Sequence, residues 1–431
     1  MVAVVAAVAA SCSNSSSGKA KSTTTSSSGG SPTSIKSGNF PQLNEPGVTP
    51  TEIRVSGVAA TTNVLGAAYG SFFDGVQAYF NMINSQGGMY GRKLVIVARH
   101  DDQMTQNRRE VEAIIDQDNA FAVIPVATNV AFSGAPLLAQ AGIPTFGWGI
   151  NAEWTGPPNL FGSVGALCNG SGCPSPLLPY AAWKLGKKNL GVLAYNVAAS
   201  ADCMDGIKAS FEKYPVAKLA YTTKALSFGV TDMSADVKRM IDAHVDFVTT
   251  CMDNNGVLTL AREMRQQGLN VPIYLPNAYD HDFMSKNAGF FNGSIVIVQE
   301  APLETNPKFP ALNQYLDWMK KSNYQTTEYT AIGWGLAQLF VTGLKGAGPT
   351  FTRQKVVDYL NTLTDWNADG MMLPVDWTKQ HTDLHYPRQC IGYLKVENGK
   401  FVPIWSTPGK PFLCWDPLPT SIPSSKPVPT L

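Results

Sequence analysis

From about residue 51 the chain alternates short apolar, β-rich runs with segments whose apolar residues recur every three or four positions. Ile53–Val58 is the first such run, and Phe72, Phe73, Val76, Tyr79, Phe80 and Ile83 then share one helical face, which Gly87-Gly88 ends. The pattern predicts a strand at Leu94–Ala98, a helix carrying Val111, Ile114 and Ile115, a strand at Phe121–Ile124, a helix over Phe132–Ala141 and a strand at Ile143–Phe146. A Gly/Pro-rich interval, Asn151–Pro179, breaks the rhythm. It resumes with strands at Leu190–Tyr195, Ala217–Tyr221, Val245–Thr250, Pro272–Leu275 and Ser294–Val298, separated by helices at Met204–Tyr214, Met233–Ala243 and Val257–Gln267. After Gln299 the pattern is helical over Phe309–Lys321, Glu328–Lys345 and Arg353–Leu363. Two strands, Gln389–Val396 and Phe401–Trp405, close it through the hairpin turn Glu397-Asn398-Gly399. Strand–helix alternation of this kind builds right-handed βαβ units and parallel sheets. With 431 residues, 44% of them hydrophobic, the chain is too long for one ordinary core and suits two lobes.

The ends differ from this body. Residues 1–12 begin with a nearly uninterrupted apolar run, too short to cross a bilayer, and read as an export signal. Val8-Ala9-Ala10-Ser11-Cys12 resembles a bacterial lipobox, which makes Cys12 the lipid-bearing first residue of the mature protein. No Lys or Arg precedes the apolar run, a departure that fits a true start upstream of Met1. Residues 13–49, Ser/Thr/Gly-rich as far as 38, form a tether that has little to bury. The Pro/Ser-rich stretch 416–431 reads as a disordered tail.

With Cys12 lipidated, six cysteines remain: Cys168, Cys173, Cys203, Cys251, Cys390 and Cys414. An even remainder in an exported chain favours disulfides. The preferred pairing is Cys168–Cys173, Cys203–Cys251 and Cys390–Cys414, one of 15 connectivities; metal binding is the rival, but no CxxC spacing supports it. The formal charge is only +1 and no basic stripe is present, so nucleic acid is not an expected partner. The sequence carries no GxSxG, P-loop or GxGxxG. His381-Thr-Asp-Leu-His385 has HxxxH spacing but lies between Pro374 and Pro387 rather than in a convincing helix. Asp101-Asp102 and Asp280-His281-Asp282 sit in strand-to-helix loops where helix capping is the default role. No cofactor, metal or catalytic centre is therefore expected.

Three motifs carry a family resemblance. The helix Gly75–Asn84 runs into Ser85-Gln86-Gly87-Gly88-Met89-Tyr90-Gly91-Arg92-Lys93. Phe121-Ala122-Val123-Ile124-Pro125 leads on to Ala141-Gly142-Ile143-Pro144, and Gly392-Tyr393 to Trp405 forms the closing hairpin. Their order and spacing over residues 51–406 resemble the type I periplasmic binding proteins, near the leucine/isoleucine/valine-, amide- and urea-binding receptors of ABC importers. The resemblance implies two doubly wound parallel-sheet α/β lobes joined by a three-segment hinge. Lobe one would comprise 50–170 plus 299–366, and lobe two 171–298 plus 367–415.

In open parallel sheets, ligands sit beyond the carboxyl ends of strands, where helix N-termini offer unpaired N–H groups. The loops so placed are 60–69, 101–104, 126–130 and 147–154 in lobe one, and 196–202, 252–256 and 276–282 in lobe two. The resemblance puts ligand-holding groups at Thr128 or Asn129 and at Gly149 and Asn151; capping is the alternative for Thr128 and Asn129. Trp148 either walls the pocket or packs at the hinge, and Tyr69 and Ser200 are further candidates. Amino-acid receptors of the family hold the α-ammonium with an acid where this chain has Asn277. Asp253, Asp280 or Asp282 is a substitute, and Tyr279 lies alongside; Asp253 also reads as a helix cap. The expected protein is a monomeric, non-enzymatic lipoprotein of the bacterial cell envelope. It would capture a small carboxylate- or amide-bearing solute and pass it to an ABC permease. A sensory module of the same fold is the alternative, and a cleft hydrolase a third.

Overall fold

The computed structural model describes residues 40–163, 171–276, 278–382, 389–424 and 426–430. The elements of the first half are β1 (Glu52–Ala59), α1 (Ser71–Ser85), β2 (Lys93–Asp101), α2 (Asn107–Gln117), β3 (Ala122–Ala127), α3 (Ala135–Gln140), β4 (Thr145–Gly147), β5 (Leu160–Gly162) and α4 (Leu177–Lys184). Next come β6 (Asn189–Tyr195), α5 (Ala198–Lys213), β7 (Lys218–Leu226), α6 (Ser234–Asp242), β8 (Phe247–Cys251), α7 (Asn254–Gln266), β9 (Ile273–Leu275), α8 (His281–Lys286), α9 (Ala288–Phe291) and β10 (Ile295–Val298). The chain ends with α10 (Pro310–Lys321), α11 (Glu328–Ala347), α12 (Arg353–Leu360), α13 (Trp377–Gln380), β11 (Gln389–Glu397), β12 (Lys400–Ile404), β13 (Phe412–Trp415) and β14 (Val428–Thr430).

Two sheets organise these elements. The first is parallel, in the order β2-β1-β3-β4-β5. One face packs on α1 and α11 through Phe72, Val76, Phe80, Ile332 and Phe340, and the other on α2 and α3 through Val111, Ile114 and Leu138. The second runs β14-β13-β11-β10-β9-β8-β6-β7 with β12 on β11. Its β6–β10 part is parallel, whereas β11 to β14 add antiparallel neighbours. The molecule is thus a two-lobed α/β protein whose second sheet grows an antiparallel extension. The chain returns to the first lobe and back through two crossing segments that pair with each other. Glu300 bridges Met372, Ala301 N–H donates to Met371 O (2.8 Å), and Leu373 N–H donates to Gln299 O (3.0 Å).

The long helix α11 is buried on nearly every side, a consequence of lying between the first sheet, α1 and α12. It starts in a capping box in which the Thr327 and Thr330 side chains serve each other's backbone. The β11–β12 turn has positive φ at Asn398 (50°) and Gly399 (74°), the geometry that Asn-Gly favours. Cys203–Cys251 ties α5 to the end of β8, and Cys390–Cys414 joins register partners on β11 and β13. Cys173 is also disulfide-bonded, while Cys168 lies outside the described residues.

Several expectations shift. The stretch after Trp415 is not a free tail: Val428–Thr430 pairs with β13, Ile422 is buried, and the Pro419 carbonyl accepts the Tyr214 hydroxyl at 2.9 Å. Apolar residues spaced between prolines find a sheet edge to cover. The Gly/Pro interval holds β5, too short at three residues to announce itself. Helix α3 begins at Ala135 rather than Phe132, and α5 begins at Ala198, well before Met204.

Candidate functional site

The carboxyl ends of β1, β3 and β4 bring together most of the lobe-one candidates. Tyr69, 5% exposed, stands before α1 with its ring 5.8 Å from Trp148 and 5.1 Å from Tyr329. Phe72 and Tyr329 stack at 5.1 Å, and Trp148 meets Tyr329 edge-on at 5.8 Å. The buried Tyr69 phenol is held above its ordinary pKa chiefly by desolvation. The side chains of Asn129 and Tyr329 lie beside it and temper the rise, and the negative charges of Glu328 and Asp253 reach it. Three strand-end loops and the first turn of α11 therefore converge on one hydroxyl.

Two asparagines stand out there. The Asn129 Oδ1 and the Asn151 Oδ1 are buried without a hydrogen-bond partner. Neither residue caps a helix. Asn151 precedes the short helical turn 152–154 without a side-chain capping bond, and α3 starts after Gly134, five residues beyond Asn129. An unmatched buried acceptor costs about 1–3 kcal/mol, so each needs a donor the chain does not supply. Thr128 differs: its hydroxyl donates to Ala131 O at 3.2 Å. The Gly149 N–H points to Ser163 Oγ at 3.5 Å.

In lobe two, Asp253 is spent on structure. Its Oδ1 caps α7 through Asn255 N–H (2.8 Å) and Gly256 N–H (3.2 Å), and its Oδ2 accepts the Tyr195 hydroxyl at 2.7 Å. Ser200 Oγ donates to Cys251 O (2.5 Å) and accepts the Tyr195 N–H (2.7 Å), locking the loop after β6 to the end of β8. The Tyr279 hydroxyl donates to Glu304 Oε2 at 2.6 Å and accepts the Leu303 N–H at 2.7 Å, while His281 Nε2 meets Glu304 Oε1 at 2.7 Å. Asp280 caps α8 through Phe283 N–H, and the exposed Asp282 lies within 3.6 Å of Lys286. Asn277 lies outside the described residues. The lobes touch where Asn255 Nδ2 donates to Val64 O at 3.3 Å, with the Asn255 amide lying over Gly66, whose φ of +75° disfavours a side chain.

Sequence reasoning missed two carboxyl groups and one ring. Glu328 opens α11 beside Tyr329, buried and within charge-interaction range of Asp280 in the loop after β9. Glu300, fully buried on a crossing segment, has no hydrogen-bond partner for either carboxyl oxygen. Burial, and then the nearby negative charges of Glu300 and Asp280, push Glu328 well above the usual carboxylate range; burial pushes Glu300 up to about 8. The available signal was an acid at the head of an otherwise apolar helix.

Glu300 gives a pH prediction. Its folded pKa exceeds the ordinary 4.5, so the folded state keeps a proton that the unfolded chain releases. That contribution is complete below about pH 4.5 and is lost as pH rises toward 8. Urea midpoints should fall across this window in the wild type and fall less steeply in Glu300→Gln; equal slopes in the two proteins would refute the assignment.

Among the described residues no group of three or more His, Cys, Asp or Glu is arranged to hold a metal ion. His381 is buried between Phe161 and Trp377, and His385 lies outside the described residues. No helix among the described residues is long and apolar enough to cross a membrane.

A family model described as periplasmic binding protein matches residues 52–400. No curated protein matches. Among solved structures, a substrate-binding periplasmic protein from Ralstonia solanacearum is 20% identical, with a TM-score of 0.68, covering 82% of this chain and 100% of that one. A branched-chain amino acid ABC transporter protein from Thermus thermophilus, with bound valine, is 17% identical with a TM-score of 0.67, over 82% and 96%. A solute-binding protein from R. palustris, in complex with benzoate, is 16% identical with a TM-score of 0.64, over 82% and 95%. At these identities the likeness is one of fold.

Proposed function

The chain belongs to the periplasmic binding protein family, and from that premise we propose that it is an extracytoplasmic receptor for a small polar solute. It would close its two lobes on a carboxylate- or amide-bearing molecule and present it to an ABC permease, without chemical turnover. The observation that carries this reading is the pair of buried, unpartnered amide oxygens of Asn129 and Asn151, set at the ends of adjacent strands beside Tyr69 and Trp148. Groups in that state are costly in an empty protein and useful in a filled one. Hinge closure around the crossing segments would exclude water and strengthen each polar contact.

The test is a thermal-shift screen over amino acids, amides, urea, aromatic acids and short aliphatic acids, with small-angle scattering on each hit. A solute that raises Tm and compacts the protein supports the reading. A hit that is chemically altered on incubation would replace it with an enzymatic one.

We further propose that Cys12, outside the described residues, carries a lipid that holds the receptor at the membrane. Cys12→Ser should abolish labelling by a palmitate analogue in cells and move the protein to the soluble fraction. Unchanged labelling would rule the anchor out.

A further inference from the structure

We propose that the Cys203–Cys251 disulfide is a redox gate on solute capture: intact, it holds the lobe-two side of the cleft in place, and a dithiol that opens it releases that side. The inference rests on the solute-binding reading and adds a control to it.

The bridge stands where the second sheet meets the cleft. β6 and β8 are parallel neighbours, with Ala194 opposite Cys251 at their carboxyl ends. The loops leaving those ends lead into α5 and α7, and the disulfide clamps the start of α5 to the end of β8. Other support for the start of α5 is thin. No side chain caps the helix, and Met204 is the one large apolar residue it buries before Phe211. Met204 sits in a small cluster with Val192 and Ala194, edged by Ile207, Leu219 and Cys251 itself. Ser200 adds two hydrogen bonds, to the Cys251 carbonyl and the Tyr195 N–H. Elements with so few buried apolar contacts open locally at low cost. The consequences reach lobe one. Just past Cys251, Asp253 caps α7 and takes the Tyr195 hydroxyl at 2.7 Å, and Asn255 donates to Val64 O across the cleft at 3.3 Å.

Access separates this bridge from the other fully described one. Cys203 and Cys251 are half-buried, whereas Cys390 (7% exposed) and Cys414 (6%) are register partners inside the sheet. Exchange requires a thiolate to reach a sulfur, so a small dithiol attacks Cys203–Cys251 the more readily. The attack breaks the S–S bond, forms a mixed disulfide with one sulfur and releases the other as thiolate. The second thiol of the reductant then displaces the first. The protein takes up two electrons and two protons as two thiols, and the reductant leaves as its own disulfide. Compartments give the gate its use. Cytosolic dithiols keep cysteines reduced, and disulfides persist in oxidising surroundings outside. A receptor made inside the cell and working outside would therefore hold its solute poorly until exported.

The test treats the oxidised full chain with increasing dithiothreitol, maps free thiols by alkylation and mass spectrometry, and follows amide exchange and binding of the amino acids, amides, urea and acids of the thermal-shift panel. Cys203 and Cys251 should become free while Cys390 and Cys414 stay bonded. Amide exchange over 196–202 and 252–256 should then rise about tenfold with the first sheet unchanged. Affinity for the panel solute that binds should fall about tenfold and return on reoxidation. The double variant Cys203→Ser, Cys251→Ser should bind as weakly as the reduced protein and ignore dithiothreitol, which separates this bridge from that of Cys173. Cys203 and Cys251 remaining bonded in the folded protein, or affinity staying within about threefold once they are free, would overturn the gate and leave the receptor reading standing. Exchange rising across the first sheet as well would mean unfolding rather than gating, and would also overturn it. If no panel member binds the oxidised protein, the receptor reading and the gate fall together.

Discussion

The double variant Asn129→Ala, Asn151→Ala should bind its solute about 100-fold more weakly than wild type while remaining folded. Each asparagine offers one buried, unsatisfied acceptor at the end of a first-sheet strand. A hydrogen bond to a charged partner contributes about 1.5–3 kcal/mol, so losing two reaches or exceeds the ~2.7 kcal/mol that separates Kd values 100-fold apart. The unliganded Tm should hold or rise, because alanine removes acceptors that have no donor in the empty protein. That divergence separates a binding defect from a folding defect. Titration and thermal shift measure both halves, and binding within threefold of wild type would place the lobe-one seat elsewhere.

The fold was legible because its elements announce themselves locally. The helical face of Phe72, Val76, Tyr79 and Phe80 and the apolar strands β3 and β6 follow directly from periodicity. What escaped was short or set by tertiary partners. The β5 strand has three residues, and β14 exists only because β13 offers an edge. The layout of the candidate site was half legible for the same reason. Strand-to-helix loops fix where Asn129 and Asn151 stand, so topology alone finds them. Which polar groups are still available there is decided by partners remote in sequence. Asp253 and Tyr195 are 58 residues apart and Tyr279 and Glu304 are 25 apart, yet these bonds remove side chains the sequence had offered to the ligand. Glu328 shows the reverse case. Its neighbours along the chain suggest only a helix start, whereas Glu300 on the crossing segment and Asp280 after β9 give it a buried acidic setting.

Gly75→Val should destabilise the protein by about 3 kcal/mol or more and weaken solute binding with it. A side chain at Gly75 would overlap the Thr330 carbonyl oxygen, and one at Gly333 would overlap the Phe72 carbonyl oxygen. The two glycines thus let α1 and α11 touch backbone to backbone. Neither obstacle is a flexible side-chain end, so a valine must push the helices apart, and overpacking of this kind costs about 1–3 kcal/mol, occasionally more. The β-branched side chain adds a smaller helix-propensity term of opposite sign relative to glycine, too small to offset the clash. The helices carry the site at their N-termini: Tyr69 and Phe72 lead α1, Glu328 and Tyr329 lead α11, and the Phe72–Tyr329 stack crosses the contact. Spreading them therefore disturbs the candidate site as well as the core. Urea denaturation of the empty protein should show the lower midpoint, and titration should show weaker binding at temperatures where the variant is still folded. Gly142→Val serves as the control. Its φ of +60° strains any side chain, but nothing lies within 4 Å of the added carbon, so stability should fall while affinity stays. Equal affinity loss in both variants would mean that binding tracks global stability rather than the α1–α11 contact.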